Sequence, residues 1–491
     1  MEEFDLAVIG AGPAGYTGAI RAAQLGNKVI CIEKHSTLGG TCLNVGCIPS
    51  KALLNFSEKY EEARTHFADI GISADIKLDL ARMLAKKDKV VGDLCKGIES
   101  LFVKNKISKI KGIAKIIDPN TVEITEGTNN TKIKAKNILI ATGSQIINVP
   151  GININEKNIV SSTGALSLSK VPNEMVIIGG GYIGLELGSV WRRLGSKITV
   201  IEYAERIVPA LDVEIGKSFY KILEGQGFKF MLSTKVLKAE QVKDRIELVT
   251  SGVNDSKESR ISCDVALVSV GRKPNTEGMG LAEMGIEVDQ RGMINVNDYF
   301  QTNYSNIYAV GDVIRGPMLA HKAEEEAIAA VEIMNGQAGH VNYNLIPAVV
   351  YTWPEVATVG ATEEDLKKAG IDYKVGKFPF LANSRARSAG NTEGMVKILS
   401  DSKNDKILGA HIIGPDAGTL IAEIVAYMEF GGAAEDIART SHAHPTLNEA
   451  IREAALAGII GLKVTINLLR MLSYGKNWRR RLLCMLLYGI G

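Results

Sequence analysis

"LAVIGAGPAGYTGAIRAAQLGNKVICIEKH" at Leu6–His35 returns, at one constant offset, as "VIIGGGYIGLELGSVWRRLGSKITVIEYA" at Val176–Ala204. Gly10, Gly12 and Gly15 answer to Gly179, Gly181 and Gly184, Leu25-Gly26 to Leu194-Gly195, and Glu33 to Glu202. Each copy reads as an apolar strand, a G-x-G-x-x-G turn, a helix, and a second strand ending in an acid. The first glycine permits the tight turn, the second lets backbone approach a pyrophosphate, and the third lets helix and strand pack closely. Phosphates then sit at the helix N-terminus, where free N–H groups and the dipole favour negative charge. The glutamate can accept hydrogen bonds from a ribose hydroxyl. One glycine triplet is weak evidence, but two unrelated turns would not share the position of their acid. The repeat predicts two dinucleotide sites.

The two sites need not hold the same ligand. The first copy runs into "GGTCLNVGCIPSK" (39–51), and the segments "NILIATGS" (137–144) and "TNYSNIYAVGDV" (302–313) read as further strands ending in glycine turns. Asp312, after Gly311, is placed for a ribityl or phosphate contact. This more elaborate site suits a held flavin, and the simpler second copy suits a nicotinamide cofactor that comes and goes. Glu202 favours NAD over NADP, because a carboxylate about 4 Å from a 2′-phosphate repels it by about 1–4 kcal/mol in effective dielectrics of about 80 to 20. Arg206 is the nearby charge that could offset this.

Cys42 and Cys47 admit three readings. A four-ligand zinc site needs a second tight pair, and only "HAH" at 442–444 offers one; no metal is expected. As a staple, so short a loop removes roughly 2 kcal/mol of chain entropy, against about 3 for fifteen residues. The redox reading uses the surroundings. "IPSKALLNFSEKYEEA" continues as a helix, placing Cys47 near its N-terminus and Lys51 one turn on, and both features stabilise a thiolate. A disulfide beside a flavin then acts as a two-electron relay.

A thiol relay needs a base. In "SHAHPTLNEA", His444 precedes Pro445 and Glu449 opens the next helix, so the carboxylate can orient the imidazole and raise its basicity. His35, His66, His340 and His411 have no comparable setting.

The 491 residues are too many for one ordinary core. Hydrophobic content of 46% and charged content of 23% are those of a soluble globular protein. A net charge of +2 points to neither nucleic acid nor membrane. Six cysteines in so long a chain make no secreted disulfide framework, and Cys31 and Cys263 read as core residues. With no signal or transit segment expected before "MEEFDLAVIG", the reading is a cytoplasmic protein.

These motifs together, "GGTCLNVGCIPSKALL", "ATGS", "GGGYIGLE", "VGRKPN", "YAVGDV", "PMLAHKAEEE" and "HAHPTLNE", resemble the flavoprotein disulfide reductases, in the family's order over roughly residues 4–457. Within that family the pattern is similar to the branch that oxidises dihydrolipoamide. Glutathione-type reductases, the alternative, favour a basic NADP pocket and usually a lysine where Ser50 stands. Mercuric reductases usually add a vicinal cysteine pair at the C-terminus.

The resemblance implies an α/β fold: a split FAD domain (1–147 and 276–344), an NAD domain (148–275) and an α+β interface domain (345–457). It implies a homodimer, one non-covalent FAD per subunit, NAD, and a lipoyl-bearing acyltransferase of 2-oxoacid dehydrogenase complexes as partner. By motif, Cys42 is the interchange thiol and Cys47 the thiolate near the flavin. Lys51 and Glu186 form the ion pair at the flavin edge, His444 is the base, completing the partner subunit's site, and Glu449 orients it. Flavin contacts fall on Gly10, Gly12, Gly15, Glu33, Lys34, Gly40, Thr41, Lys51, Gly112, Thr142, Gly143, Ser144, Asp312, Met318, Leu319, Ala320 and His321. Nicotinamide contacts fall on Gly179, Gly181, Tyr182, Ile183, Gly184, Glu186, Glu202, Val236 and Gly271.

The chain departs from the pattern at its end. Residues 458–491 carry six basic residues and no acid. Their uncharged runs are too short for a membrane span of about 20 residues, so the expectation is an atypical tail without function, with a basic surface helix as the alternative.

Overall fold

The computed structural model describes residues 2–255 and 257–460. The described residues divide into two compact units, one made of residues up to Val208 with Leu223–Tyr343, the other of Pro209–Ile222 with 344–460.

In the first unit, strand Glu3–Ile9 pairs in parallel with Val29–Glu33 on one side and Asn129–Ile140 on the other. Leu6–Ile9 and Val29–Glu33 are continuous buried runs, as a parallel sheet covered on both faces requires. Between them, helix Pro13–Gln24 buries a stripe of small residues, Ala14, Gly15, Gly18, Ala19 and Ala22. A Cβ on Gly18 would lie 2.9 Å from Leu139 Cδ2, so this stripe sets how closely the helix lies on the sheet. Ile307–Ala309 joins the same sheet beside Asn129–Ile140.

The second copy builds its own five-stranded parallel sheet, ordered Lys229–Met231, Lys197–Ile201, Glu174–Ile178, Val265–Val268, Ile159–Val160. Its helix, Tyr182–Leu194, is buried nearly all round, with Trp191 fully enclosed. A three-stranded antiparallel sheet (Thr234–Val242, Arg245–Gly252, Glu258–Cys263) follows.

The other unit is α+β. Its antiparallel sheet runs Ala348–Val350, Glu355–Gly360, Ile407–Gly414, Met395–Asp401, Tyr373–Pro379. Helices Ala417–Glu429, Ala434–Arg439 and Glu449–Ile460 contribute to a core that includes Phe380, Ile398, Ile412, Ile424 and Ile451. Lys397 is fully buried there, its Nζ 2.9 Å from Asp212 Oδ2 and 2.6 Å from Glu363 Oε2. Burial alone would raise the Glu363 carboxyl, but hydrogen bonds from Lys397, Lys367 and Tyr373 outweigh it and hold it down to about 2. The last helix extends to Ile460, taking in the first residues of the segment read as a tail; 461–491 lie outside the described residues.

Candidate active site

Both glycine turns are built alike. Gly10 and Gly179 have φ of +100° and +105°, and a Cβ on either would meet a backbone oxygen, Ala141 O at 2.5 Å or Ser269 O at 2.6 Å. Gly15 and Gly184 lie so close to the O atoms of Gly10 and Gly179 that a Cβ would fall 1.8 Å and 2.4 Å away. Gly12 and Gly181 N-cap their helices with no capping side chain, which leaves the first-turn amides to a ligand.

The acids match too. Glu33 accepts from the amides of Ala11 (2.8 Å) and His35 (2.9 Å), and Glu202 from those of Gly180 (2.5 Å) and Ala204 (2.7 Å). Reading the acids only as ribose contacts missed this second role. Each glutamate ties the glycine turn to the end of the next strand, while a carboxylate's further lone pairs can still accept a ribose hydroxyl.

Around the first copy, Gly40 has φ +58° and a Cβ on it would stand 2.5 Å from Gly12 Cα, so two backbones meet there. The Gly112 amide donates to Glu33 O, while Lys34 and Thr41 are exposed. Thr142 Oγ1 donates to Asn275 O and Ser144 Oγ donates to Asp312 Oδ2 (2.5 Å), while Arg272 holds Ser144 through both its hydroxyl and carbonyl. Gly143 (φ +68°) borders open space. Met318 and Leu319 lead into helix Ala320–Met334, on whose first turn His321 lies. Lys322 and Glu326 in that helix, an i, i+4 pair, are both fully buried. Lys322 Nζ donates to Gly311 O, and Glu326 accepts from the Gly311 amide and the Tyr343 hydroxyl. They fix the peptide just before Asp312, a function legible in "HKAEEE" only as a lysine–glutamate pair of helical spacing.

The cysteines are joined as a disulfide, with Cα atoms 4.7 Å apart. Helices Gly40–Val45 and Cys47–Thr65 carry them, separated by Gly46 alone. A Cβ on Gly46 would meet Thr41 O at 2.9 Å, so glycine lets the two turns close on each other. Cys47 is the first residue of its helix, one turn from Lys51, whose Nζ is 2.8 Å from Glu186 Oε2. This ion pair joins the cysteine helix to the second copy's helix. Asn44, between the cysteines, donates to Leu38 O and Gly40 O and accepts from Thr37 Oγ1 and Cys95 Sγ.

In the second copy, burial pushes the Tyr182 phenol up, and Ile183 and Gly184 follow it in the helix. Gly271 (φ +124°) accepts from the Ile147 amide, and Val236 sits at a bulge in strand Thr234–Val242.

The second unit holds His444, whose Nδ1 is 2.9 Å from Glu449 Oε1. Burial raises the Glu449 carboxyl, yet the Thr446 amide and the His444 ring outweigh that and keep it below its ordinary value. With Nδ1 bonded to the carboxylate, Nε2 is the nitrogen left to take a proton. His442 is bonded separately, to Glu423 (2.7 Å) and Thr440 O (2.9 Å).

A nucleotide-binding pair of copies, a disulfide at a helix start and a histidine–glutamate pair define a class, and comparison with known proteins agrees. Residues 4–327 match the pyridine nucleotide-disulphide oxidoreductase family and 346–455 its dimerisation domain. The chain belongs to this family. It is 55% identical over 458 residues to dihydrolipoyl dehydrogenase 1, mitochondrial, of Arabidopsis thaliana, covering 93% of this chain and 90% of that protein. Against dihydrolipoyl dehydrogenase, mitochondrial, of Sus scrofa the identity is 54%, covering 93% and 91%. Among solved structures, the HOCl-induced flavoprotein disulfide reductase RclA of Escherichia coli, as its Cu(II) complex, has TM-score 0.84 and 28% identity, covering 93% of this chain and 99% of that one.

The protein is an NAD-dependent oxidoreductase with FAD and NAD(H) as cofactors, and the residues fit both. Uncapped helix starts would leave amides for the phosphates, a Cβ on Gly181 would find only open space, and each copy's acid stands at its strand end. Among the described residues no helix is long and apolar enough to cross a membrane.

Proposed function

We propose that the chain has dihydrolipoamide dehydrogenase activity, oxidising protein-bound dihydrolipoamide to lipoamide with NAD+ as acceptor. The observation that carries this reading is the Cys42–Cys47 disulfide at a helix start, one turn from the Lys51–Glu186 pair. His444 Nε2 takes a proton from one substrate thiol, while Glu449 holds Nδ1–H and stabilises the charged ring. The substrate thiolate attacks Cys42 Sγ, the Cys42–Cys47 bond breaks, and Cys47 leaves as a thiolate steadied by the helix N-terminus and Lys51. The second substrate sulfur attacks the first, releasing cyclic lipoamide and leaving both cysteines reduced. FAD, when bound, supplies the two-electron path from these cysteines to NAD+, so one dithiol yields one NADH and one proton.

Three parts support the surroundings of this chemistry. The FAD part spans 1–147 and 276–344, the NAD part 148–275 and the dimerisation part 345–457. The chain works as a homodimer in which His444 serves the disulfide of the partner subunit; the matched dimerisation domain and the 68% exposed His444 side chain support this. A lipoyl-bearing acyltransferase of a 2-oxoacid dehydrogenase complex is the partner. The location is a reducing cytoplasm, supported by Cys31, Cys95 and Cys263, which are free and buried.

Mixing the purified protein with dihydrolipoamide and NAD+ should produce nicotinamide fluorescence. Preference for oxidised glutathione and NADPH would overturn the assignment. His444→Gln should slow dithiol oxidation far more than flavin reduction by NADH, and equal losses would remove His444 as the base.

A further inference from the structure

Where the second nucleotide copy departs from the first, its departures converge on one helix. Glu186, Arg192 and Arg193 stand where the first copy has Thr17, Ala23 and Gln24. Glu186 meets Lys51 at 2.8 Å. Arg192 Nη2 lies 2.6 Å from Glu61 Oε2, and Arg193 Nε 3.6 Å from the same oxygen. Arg193 Nη1 also donates to Leu54 O (3.1 Å) and reaches Ser57 Oγ (3.5 Å). All these partners belong to helix Cys47–Thr65, the helix that begins with a redox cysteine. Cys47, Lys51, Leu54, Glu58 and Glu61 are spaced by four, three, four and three residues, so they form one stripe.

Arg193 is 2% exposed at its side chain. A buried guanidinium persists only when paired; burial lowers its pKa, and the negative charges of Glu58 and Glu61 oppose that. So costly an arrangement is not required for nucleotide binding, since the first copy makes the same turn without it.

We infer that Arg193, with Arg192 and Glu61, is a positioning residue for hydride transfer: it is the second of two fastenings that hold the nicotinamide-binding helix at a fixed angle to the helix bearing Cys47. Lys51–Glu186 ties the two helices by charge at one point only. Lys51 and Glu61 are ten residues apart, about 15 Å along a helix, and two points so separated fix the crossing direction. One helix would carry the nicotinamide and the other carries Lys51, placed at the flavin edge, so their crossing sets the distance between hydride donor and acceptor, where a 1 Å misplacement can cost about a hundredfold in rate.

The inference rests on the proposed relay, but its test separates the two half-reactions. Arg193→Met in the full-length, FAD-loaded protein should slow flavin reduction by NADH about tenfold while leaving reduction by dihydrolipoamide within about twofold. Arg193→Lys should recover most of the loss. Amide exchange in helix Tyr182–Leu194 of the apoprotein should quicken in Arg193→Met. Should that variant fold poorly, Glu61→Gln, on a partly exposed side chain, should show the same split in weaker form. A lowered melting temperature with both half-reactions unchanged would reduce Arg193 to a structural role and overturn the inference, as would equal slowing of both. Failure of dihydrolipoamide to reduce the wild-type protein would instead sink the proposed substrate, leaving the NADH comparison still decisive for Arg193.

Discussion

The two nucleotide-binding copies differ in what surrounds them far more than in themselves. Glycine conformations, helix starts and the paired hydrogen bonds of Glu33 and Glu202 repeat almost atom for atom. Around the first copy, however, backbone closes in: Gly40 presses on Gly12, the disulfide follows, and Asp312 is fixed through Ser144 and the Lys322–Glu326 pair. Around the second, Gly181 faces open space. The two copies share a core built for a nucleotide, and they differ in how closely the rest of the chain encloses it.

The sharpest way to break this contrast is at the cysteines, which only the first copy has. Cys42→Ser should lower dithiol turnover by at least about a thousandfold while leaving yellow, flavin-bound protein, checked by steady-state rates and absorbance. Full turnover in that variant would detach the relay from the first copy. Next, Gly40→Ala places a side chain at φ +58° against Gly12. Strain alone costs about 1–3 kcal/mol, so both stability and flavin retention should fall in urea titrations. Gly181→Ala, where a Cβ meets nothing within 4 Å, should leave stability nearly unchanged and weaken NADH binding instead. Equal damage from the two alanines would erase the distinction between enclosed and open copies.

Glu202→Ala should reduce the preference for NAD over NADP about tenfold, within the range of the lost repulsion, as measured by kcat/KM for each. It should also destabilise the turn by roughly 1–3 kcal/mol, because the Gly180 and Ala204 amides lose their acceptor. The gentlest test lies outside both copies. Glu363 has its folded pKa depressed to about 2 from 4.5. Its contribution is therefore fully present above pH 4.5 and lost as pH falls from there toward 2. Glu363→Gln should flatten acid unfolding over that window and leave flavin release above pH 5 unaltered.

Much of the site was legible because local chemistry dictates it. A helix that starts at Cys47, glycine turns at Gly10 and Gly179, and a carboxylate five residues after His444 are statements about neighbours in the chain. The roles of Lys322, Glu326 and Arg193 were hidden for the opposite reason. A buried charge looks like a surface charge in sequence, and only its partners distinguish them: Gly311 and Tyr343 for the first pair, Leu54, Ser57 and Glu61 for the arginine. The i, i+4 spacing of Lys322 and Glu326 would fit a solvated face equally well.

By itself, the sequence determined the repeated strand–turn–helix units, the cysteine pair and the histidine–glutamate pair, since backbone sterics and short-range hydrogen bonding act within a few residues. Tertiary structure alone decided which charges are buried and which helix meets which. The physical reason is that a charge's surroundings, and so its energy, are set by groups brought to it from far along the chain.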